Sequence, residues 1–133
     1  MTFELQIVTP DGLAFDGQAE KLDLRTVEGV IGILPRHIDY VAPVGMGEAV
    51  VTTPEGKRRA ACIGGMIAVH AGKVRLVATT FERAEEIDVE RAKEAETRAR
   101  NLLAKPDLSE RDLKIAEARL HRALVRQAVG SGK

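Results

Sequence analysis

Arg91 and Arg98 are seven residues apart, and Arg122 and Arg126 are four apart. On a helix both intervals return side chains to nearly one face. If the two segments are helical and face each other, several guanidinium forks converge. Such forks grip phosphate oxygens through paired, charge-assisted hydrogen bonds. Asp88 and Glu82 are nearby acceptors for donor groups elsewhere on the same ligand. The chemistry on offer is recognition of a phosphate-bearing anion, with no bond made or broken. The same spacing also describes a solvated charged face, with Asp88–Arg91 and Glu94–Arg98 as helix pairs worth about 0.2–0.5 kcal/mol each. Spacing alone favours that plainer explanation.

Other chemistry is poorly served. His37, His70 and His121 are far apart and belong to no paired motif, so a metal centre is not expected. No Ser-His-Asp or Cys-His grouping has supporting spacing. Gly72-Lys73 does not close a phosphate loop, because Ile67 stands where the first glycine belongs and Val74 follows the lysine. Cys62 is the only cysteine, which excludes an internal disulfide and fits a reducing compartment. Lys+Arg and Asp+Glu balance at 20 each, so no bulk field favours nucleic acid or anionic lipid. Aromatic residues make up only 3% of the chain, too few for base-stacking platforms. The N-terminus carries no secretory pattern, and no apolar run is long enough to span a bilayer.

The elements that must position these residues fall into two kinds. Up to about Thr80 the chain reads as short strands. Phe3, Leu5 and Ile7 alternate with polar neighbours, as do Leu22 and Leu24. Pro10-Asp11-Gly12, Thr53-Pro54-Glu55-Gly56-Lys57 and Ala71-Gly72-Lys73 mark turns between such runs. From Asp88 to Ala104 there is no glycine or proline, and Ala92, Ala95, Ala99, Leu102 and Leu103 recur at helical steps. Asp88 is positioned as N-cap, Lys105-Pro106-Asp107 ends the segment, and Ser109 with Asp112 begins a second helix. Leu113, Ala116, Leu120, Ala123, Leu124 and Ala128 then follow at helical spacing, before Gly130-Ser131-Gly132. The fold class read from this pattern is α+β: an antiparallel β-sandwich over residues 1–84, then an antiparallel two-helix hairpin over 85–133. The hairpin seam is alanine-rich. At about 25 cal/mol per Å² of apolar surface such a seam is worth only a few kcal/mol, so the hairpin can open. A rigid platform with an openable arm suits a regulator better than an enzyme.

Several strings resemble one known family in order and over essentially the whole chain. They are Val8-Thr9-Pro10-Asp11-Gly12, Glu28-Gly29-Val30-Ile31-Gly32-Ile33-Leu34-Pro35-Arg36-His37, the Gly64-Gly65 pair, and Glu82-Arg83-Ala84-Glu85-Glu86-Ile87-Asp88. Together they resemble the epsilon subunit of bacterial F-type ATP synthase. The resemblance implies a non-catalytic central-stalk subunit, peripheral to the cytoplasmic side of the cell membrane. Its implied partners are the gamma subunit, the ring of c subunits and the alpha/beta hexamer. It implies no required cofactor. In many bacterial relatives the hairpin inhibits ATP hydrolysis when it extends; a static stalk adaptor that binds no nucleotide is the alternative.

Residue roles follow from the same resemblance. Glu28, Gly29, Val30, Ile31 and His37 match the loop that meets gamma and the c ring. Val30 replaces an acidic residue common in relatives and Arg36 replaces a glycine, which weakens any charge pairing there. Ile87-Asp88-Val89-Glu90-Arg91-Ala92 is similar to the nucleotide motif of a subset of bacterial members. By position, Glu82, Asp88, Arg91, Ala92, Arg98, Arg122 and Arg126 are then the residues for a regulatory ATP. Arg111, Lys114, Arg119, Arg122 and Arg126 would meet an acidic loop of the beta subunit when the hairpin extends.

Overall fold

The computed structural model describes residues 1–132; Lys133, the last residue of the expected hairpin segment, lies outside them. The chain divides into two units, Met1–Arg83 and Ala84–Lys133.

The first unit is built from β1 (Phe3–Thr9), β2 (Gly12–Ala19), β3 (Lys21–Thr26), β4 (Gly29–Ile33), β5 (Tyr40–Pro43), β6 (Met46–Thr53), β7 (Gly56–His70) and β8 (Lys73–Arg83). Their hydrogen-bonded order is β2-β1-β8-β7-β6-β3-β4, and β5 adds to β7. All ladders are antiparallel except β1 with β8, which runs parallel from Glu4–Lys73 to Val8–Val77 and joins the first strand to the last. The alternation read in the sequence is the burial pattern. Phe3, Leu5 and Ile7 face inward with Leu22, Leu24, Ile33, Val51, Ile67 and Leu76, while their neighbours face water.

Three of the turns share one device. In Thr9-Pro10-Asp11-Gly12, Thr26-Val27-Glu28-Gly29 and Thr53-Pro54-Glu55-Gly56, the threonine hydroxyl donates to the glycine carbonyl at 2.9–3.2 Å and accepts the acidic residue's N–H at 3.1–3.2 Å. Each glycine has φ between 118° and 130°, a region costly for residues with a β-carbon. This satisfies the hydroxyls of Thr26 and Thr53, the two buried polar residues of the sandwich. The repeated Thr-x-acid-Gly pattern is visible in the sequence once the geometry is known.

β7 pairs with β6 through residues 56–63 and with β5 through 66–69, and the change of partner falls at Gly64-Gly65. A β-carbon on Gly65 would run into the Val77 carbonyl oxygen and stand 2.9 Å from the Ala78 Cα. Only glycine lets β8 pass that closely.

The second unit holds a short 3-10 turn (Ala84–Glu86), α1 (Val89–Leu103) and α2 (Glu110–Gly130). Asp88 caps α1 by accepting the Arg91 N–H at 3.1 Å, and Ser109 caps α2 by accepting the Asp112 N–H at 3.1 Å. Pro106 follows the end of α1, and Asp107 adopts φ 62° in the bend. Ala92, Ala99, Ala116 and Ala123 form the buried seam, joined by Val129 near the open end. Leu113, Leu124 and Ala128, expected on that seam, are exposed. The packed stripe of α2 instead runs through Ala116, Ala123 and Gly130 in steps of seven, which tilts those side chains off it.

Candidate functional site

The hairpin carries a cavity of about 590 Å³, lined by α1, α2 and the start of the bend. That is the size range of sites for ligands as large as a nucleotide. Its apolar wall is Ala95, Ala99, Leu102 and Ala123, and its rim bears five cations: Arg98, Lys105, Arg119, Arg122 and Arg126. No carboxylate lines it. Arg98, Lys105, Arg119 and Arg122 have no salt-bridge or hydrogen-bond partner among the described residues. Elsewhere on α1, Arg100 pairs with Glu96 at 2.7 Å and Lys93 with Glu90 at 3.4 Å. A rim of like charges around an alanine-walled hollow, four of them without a partner among the described residues, attracts a polyanion.

The residues expected for ATP are thus partly gathered. Arg98, Arg122 and Arg126 meet at the cavity. Arg91 lies two turns before Arg98 and is exposed, outside the lining. Asp88 uses Oδ1 to cap α1; the expected Asp88–Arg91 pair is this side-chain-to-backbone bond. Ala92 is fully buried in the seam, so its side chain supplies packing alone. Glu82 belongs to the sandwich unit, on β8 opposite Ala61, and is half-buried.

Lys105, Arg119 and Asn101 were missing from the expected lining. A signal existed: Arg91, Arg98 and Lys105 are spaced by sevens, as are Arg119 and Arg126. At about 3.6 residues per turn, Arg111, Arg119, Arg122 and Arg126 share one side of α2, while Lys114 falls off it. Of the residues expected to meet the beta subunit, Arg126 is half-buried and the other four are exposed.

Electrostatics also hold the hairpin closed. The Gln127 side-chain amide donates to Glu96 Oε1 at 2.7 Å, bridging the helices. That bond first, and the Arg100 guanidinium second, hold the Glu96 carboxyl below the usual range. In the sandwich, burial pushes the Cys62 thiol up to about 12, so it is neutral and unreactive in the folded state.

The expected contact loop occupies edge strand β4 and the segment after it. Val30 faces water opposite Arg25, 64% exposed, beside half-buried Gly29 and Ile31 and exposed Glu28. His37 is half-buried, its Nδ1 2.8 Å from the Ile38 carbonyl oxygen and its ring edge-on to Tyr40. Ile33 is core, whereas Leu34 is exposed along with Val27, Ile38 and Val41. A second surface was not anticipated. Val8, Val77, Met66 and Pro43 are register partners across β1, β8, β7 and β5. Their flanking neighbours Ile7, Leu76, Ile67 and Ala42 are buried, so these four form an outward apolar row.

Comparison with known proteins fits this architecture. Residues 2–84 match the family model described as ATP synthase, Delta/Epsilon chain, beta-sandwich domain. Residues 85–129 match its long alpha-helix domain. The chain belongs to the delta/epsilon family of ATP synthase subunits. It is 37% identical over 132 residues to the ATP synthase epsilon chain of Shouchella clausii, covering 99% of this chain and 97% of that one. It is 38% identical over 122 residues to that of Halalkalibacterium halodurans, covering 92% of each. Among solved structures it superposes on a chain of the Euglena gracilis mitochondrial ATP synthase, OSCP/F1/c-ring, with a TM-score of 0.85 at 25% identity, covering 96% and 80% of the two chains. A chain of the Tetrahymena thermophila central stalk/c-ring shares the fold, with a TM-score of 0.69 at 12% identity over 96% and 95%. Fold and family define a non-catalytic central-stalk subunit, part of the ATP synthase complex. Among the described residues no helix is long and apolar enough to cross a membrane.

Proposed function

We propose that this subunit couples the rotor to the catalytic head and regulates ATP hydrolysis through a hairpin that closes around ATP. The cation-rimmed hairpin cavity carries the reading. It gathers three of the four arginines of the nucleotide motif at one hollow and leaves Arg98 and Arg122 without partners among the described residues. In this reading ATP places its phosphates among Arg98, Arg122 and Arg126, while Arg91 and Asp88 serve its ribose and base end.

Regulation follows from linkage. A ligand that binds only the closed hairpin stabilises it by about 2.7 kcal/mol at a hundred times its Kd. The alanine seam contributes only a few kcal/mol, so this shift is large enough to move the equilibrium. High ATP keeps the hairpin closed. Low ATP lets it open and extend, and Arg111, Lys114, Arg119, Arg122 and Arg126 then meet acidic groups of the beta subunit, which restrains hydrolysis. The arginines that hold ATP in one state therefore serve the inhibitory contact in the other.

The sandwich supplies the fixed contacts. The β4 edge and following loop, with Glu28, Gly29, Val30, Ile31 and His37, meet the c ring and gamma. The apolar row of Val8, Val77, Met66 and Pro43 gives gamma a flat surface to cover. The subunit is then peripheral, on the cytoplasmic side of the membrane.

Isothermal titration of the full chain with ATP tests the sensor, with Arg98→Ala and Arg126→Ala as controls. Saturable heat that falls at least tenfold in affinity in both variants is expected. No heat from the unaltered chain at millimolar ATP would leave a static stalk adaptor as the better description.

A further inference from the structure

The cationic rim does not end where the nucleotide motif ends. Lys105 stands seven residues beyond Arg98, at the start of the bend, and Arg119 stands one turn beyond Arg122 in the same direction. Both line the cavity beside the Asn101 amide, and neither has a partner among the described residues. A nucleotide held at Asp88 and Arg91 has already travelled ten residues, about 15 Å of helix rise, by the time it reaches Arg98. Its phosphates are met by Arg98, Arg122 and Arg126. Lys105 lies seven residues further along the chain, past the end of α1 and beyond that tail.

We propose that the bend end of the cavity is a separate subsite for inorganic phosphate or pyrophosphate, formed by Lys105 and Arg119 with the Asn101 amide as neutral donor. The proposal extends the ATP-sensing reading to a second ligand in the same cavity. Three features select a phosphate anion. Ammonium and guanidinium groups are the usual pair for phosphate oxygens. No carboxylate lines the hollow to neutralise them or to recruit a cation. And Arg98, Lys105, Arg119 and Arg122, without partners among the described residues, repel one another until an anion enters. The subsite adds two cations at the bend, where α1 and α2 meet, so an anion bridging Lys105 and Arg119 holds the hairpin closed from that end. Closure then responds to phosphate as well as to ATP, so that species from opposite sides of ATP hydrolysis are read at one hollow.

The test titrates the full chain with sodium phosphate and with pyrophosphate at constant ionic strength, sodium chloride being the balancing salt. Titrations run with and without saturating ATP and are followed by heat and by amide chemical shifts of residues 98–122. Saturable binding that persists in ATP-saturated protein is expected. Lys105→Gln with Arg119→Gln should weaken phosphate binding at least tenfold and ATP binding by a much smaller factor, and circular dichroism should confirm unchanged helicity. Displacement of phosphate by ATP, indifference to the double substitution, or shifts no larger than chloride gives would each overturn the subsite. ATP binding without phosphate binding removes the subsite and keeps the sensor. Phosphate binding that the double variant abolishes, in a chain that ignores ATP, keeps the subsite and removes the sensor.

Discussion

Replacing Gly130 by alanine puts two physical effects in opposition. Gly130 is the last residue of α2, and an ideal β-carbon there would lie 2.8 Å from Ile87 Cγ2, 2.9 Å from Val89 Cγ2 and 3.0 Å from Ile87 Cβ. Considered as a helix alone, the change should stabilise α2 by at most about 1 kcal/mol, because glycine carries a backbone entropy cost that alanine avoids. Packing points the other way. Ile87 and Val89 are β-branched and hold their χ1 angles stiffly, and Ile87 is buried, so the new methyl must push the last turn of α2 outward. Overpacking of this kind costs about 1–3 kcal/mol. Subtracting the propensity gain leaves a net loss of about 0–3 kcal/mol for the closed hairpin. Amide hydrogen exchange on the full chain measures it directly, since the opening free energy of α1 and α2 can be followed separately from the sandwich. Gly130→Ala should lower protection of both helices and leave β7 and β8 unchanged. Ile87→Ala trims the obstructing Cγ2, so the double variant should show a favourable coupling of about 0.5 kcal/mol or more relative to the sum of the singles. If Gly130→Ala raises helix protection, or if the two substitutions add independently, the close fit of Gly130 against Ile87 and Val89 does not hold the hairpin.

Three further outcomes follow from named contacts. Gly65→Ala should cost the sandwich about 3 kcal/mol or more, as the β-carbon meets the β8 backbone at a positive φ of 118°; chemical denaturation reads it, and a loss under about 1 kcal/mol would contradict the close passage. Glu96 has its carboxyl pKa lowered by Gln127 and Arg100. Its contribution to closure is therefore present above the ordinary carboxylate pKa and is lost as pH falls through the lowered value. Hydrogen exchange of the hairpin should weaken on acidification, and Glu96→Gln should flatten that dependence. Cys62, buried with its thiol pushed up to about 12, should resist alkylation at pH 8 in the native chain and react when the sandwich unfolds; rapid labelling under native conditions would show the core to be open.

The sequence by itself settled whatever depends on near neighbours along the chain. The alternation of Phe3, Leu5 and Ile7 is a strand with one wet face because successive side chains point oppositely. Asp88 and Ser109 cap their helices because a short acceptor there satisfies N–H groups that have no helical partner. Gathering Arg98 with Arg122 and Arg126 was legible too, since seven- and four-residue steps fix a helix face and a short proline-bearing link makes the helices antiparallel. Tertiary structure alone decided what depends on partners distant in sequence. Val8, Val77, Met66 and Pro43 form one row because strand register aligns them, and no local pattern records that register. Gly65 is obligatory because of where the β8 backbone passes, and Gly130 is tightly fitted because of where the Ile87 and Val89 side chains stand. The cavity reaches Lys105 and Arg119 because the two helices set their heptad-spaced cations around one hollow, and the closeness of two helices is a property of packing, not of either segment.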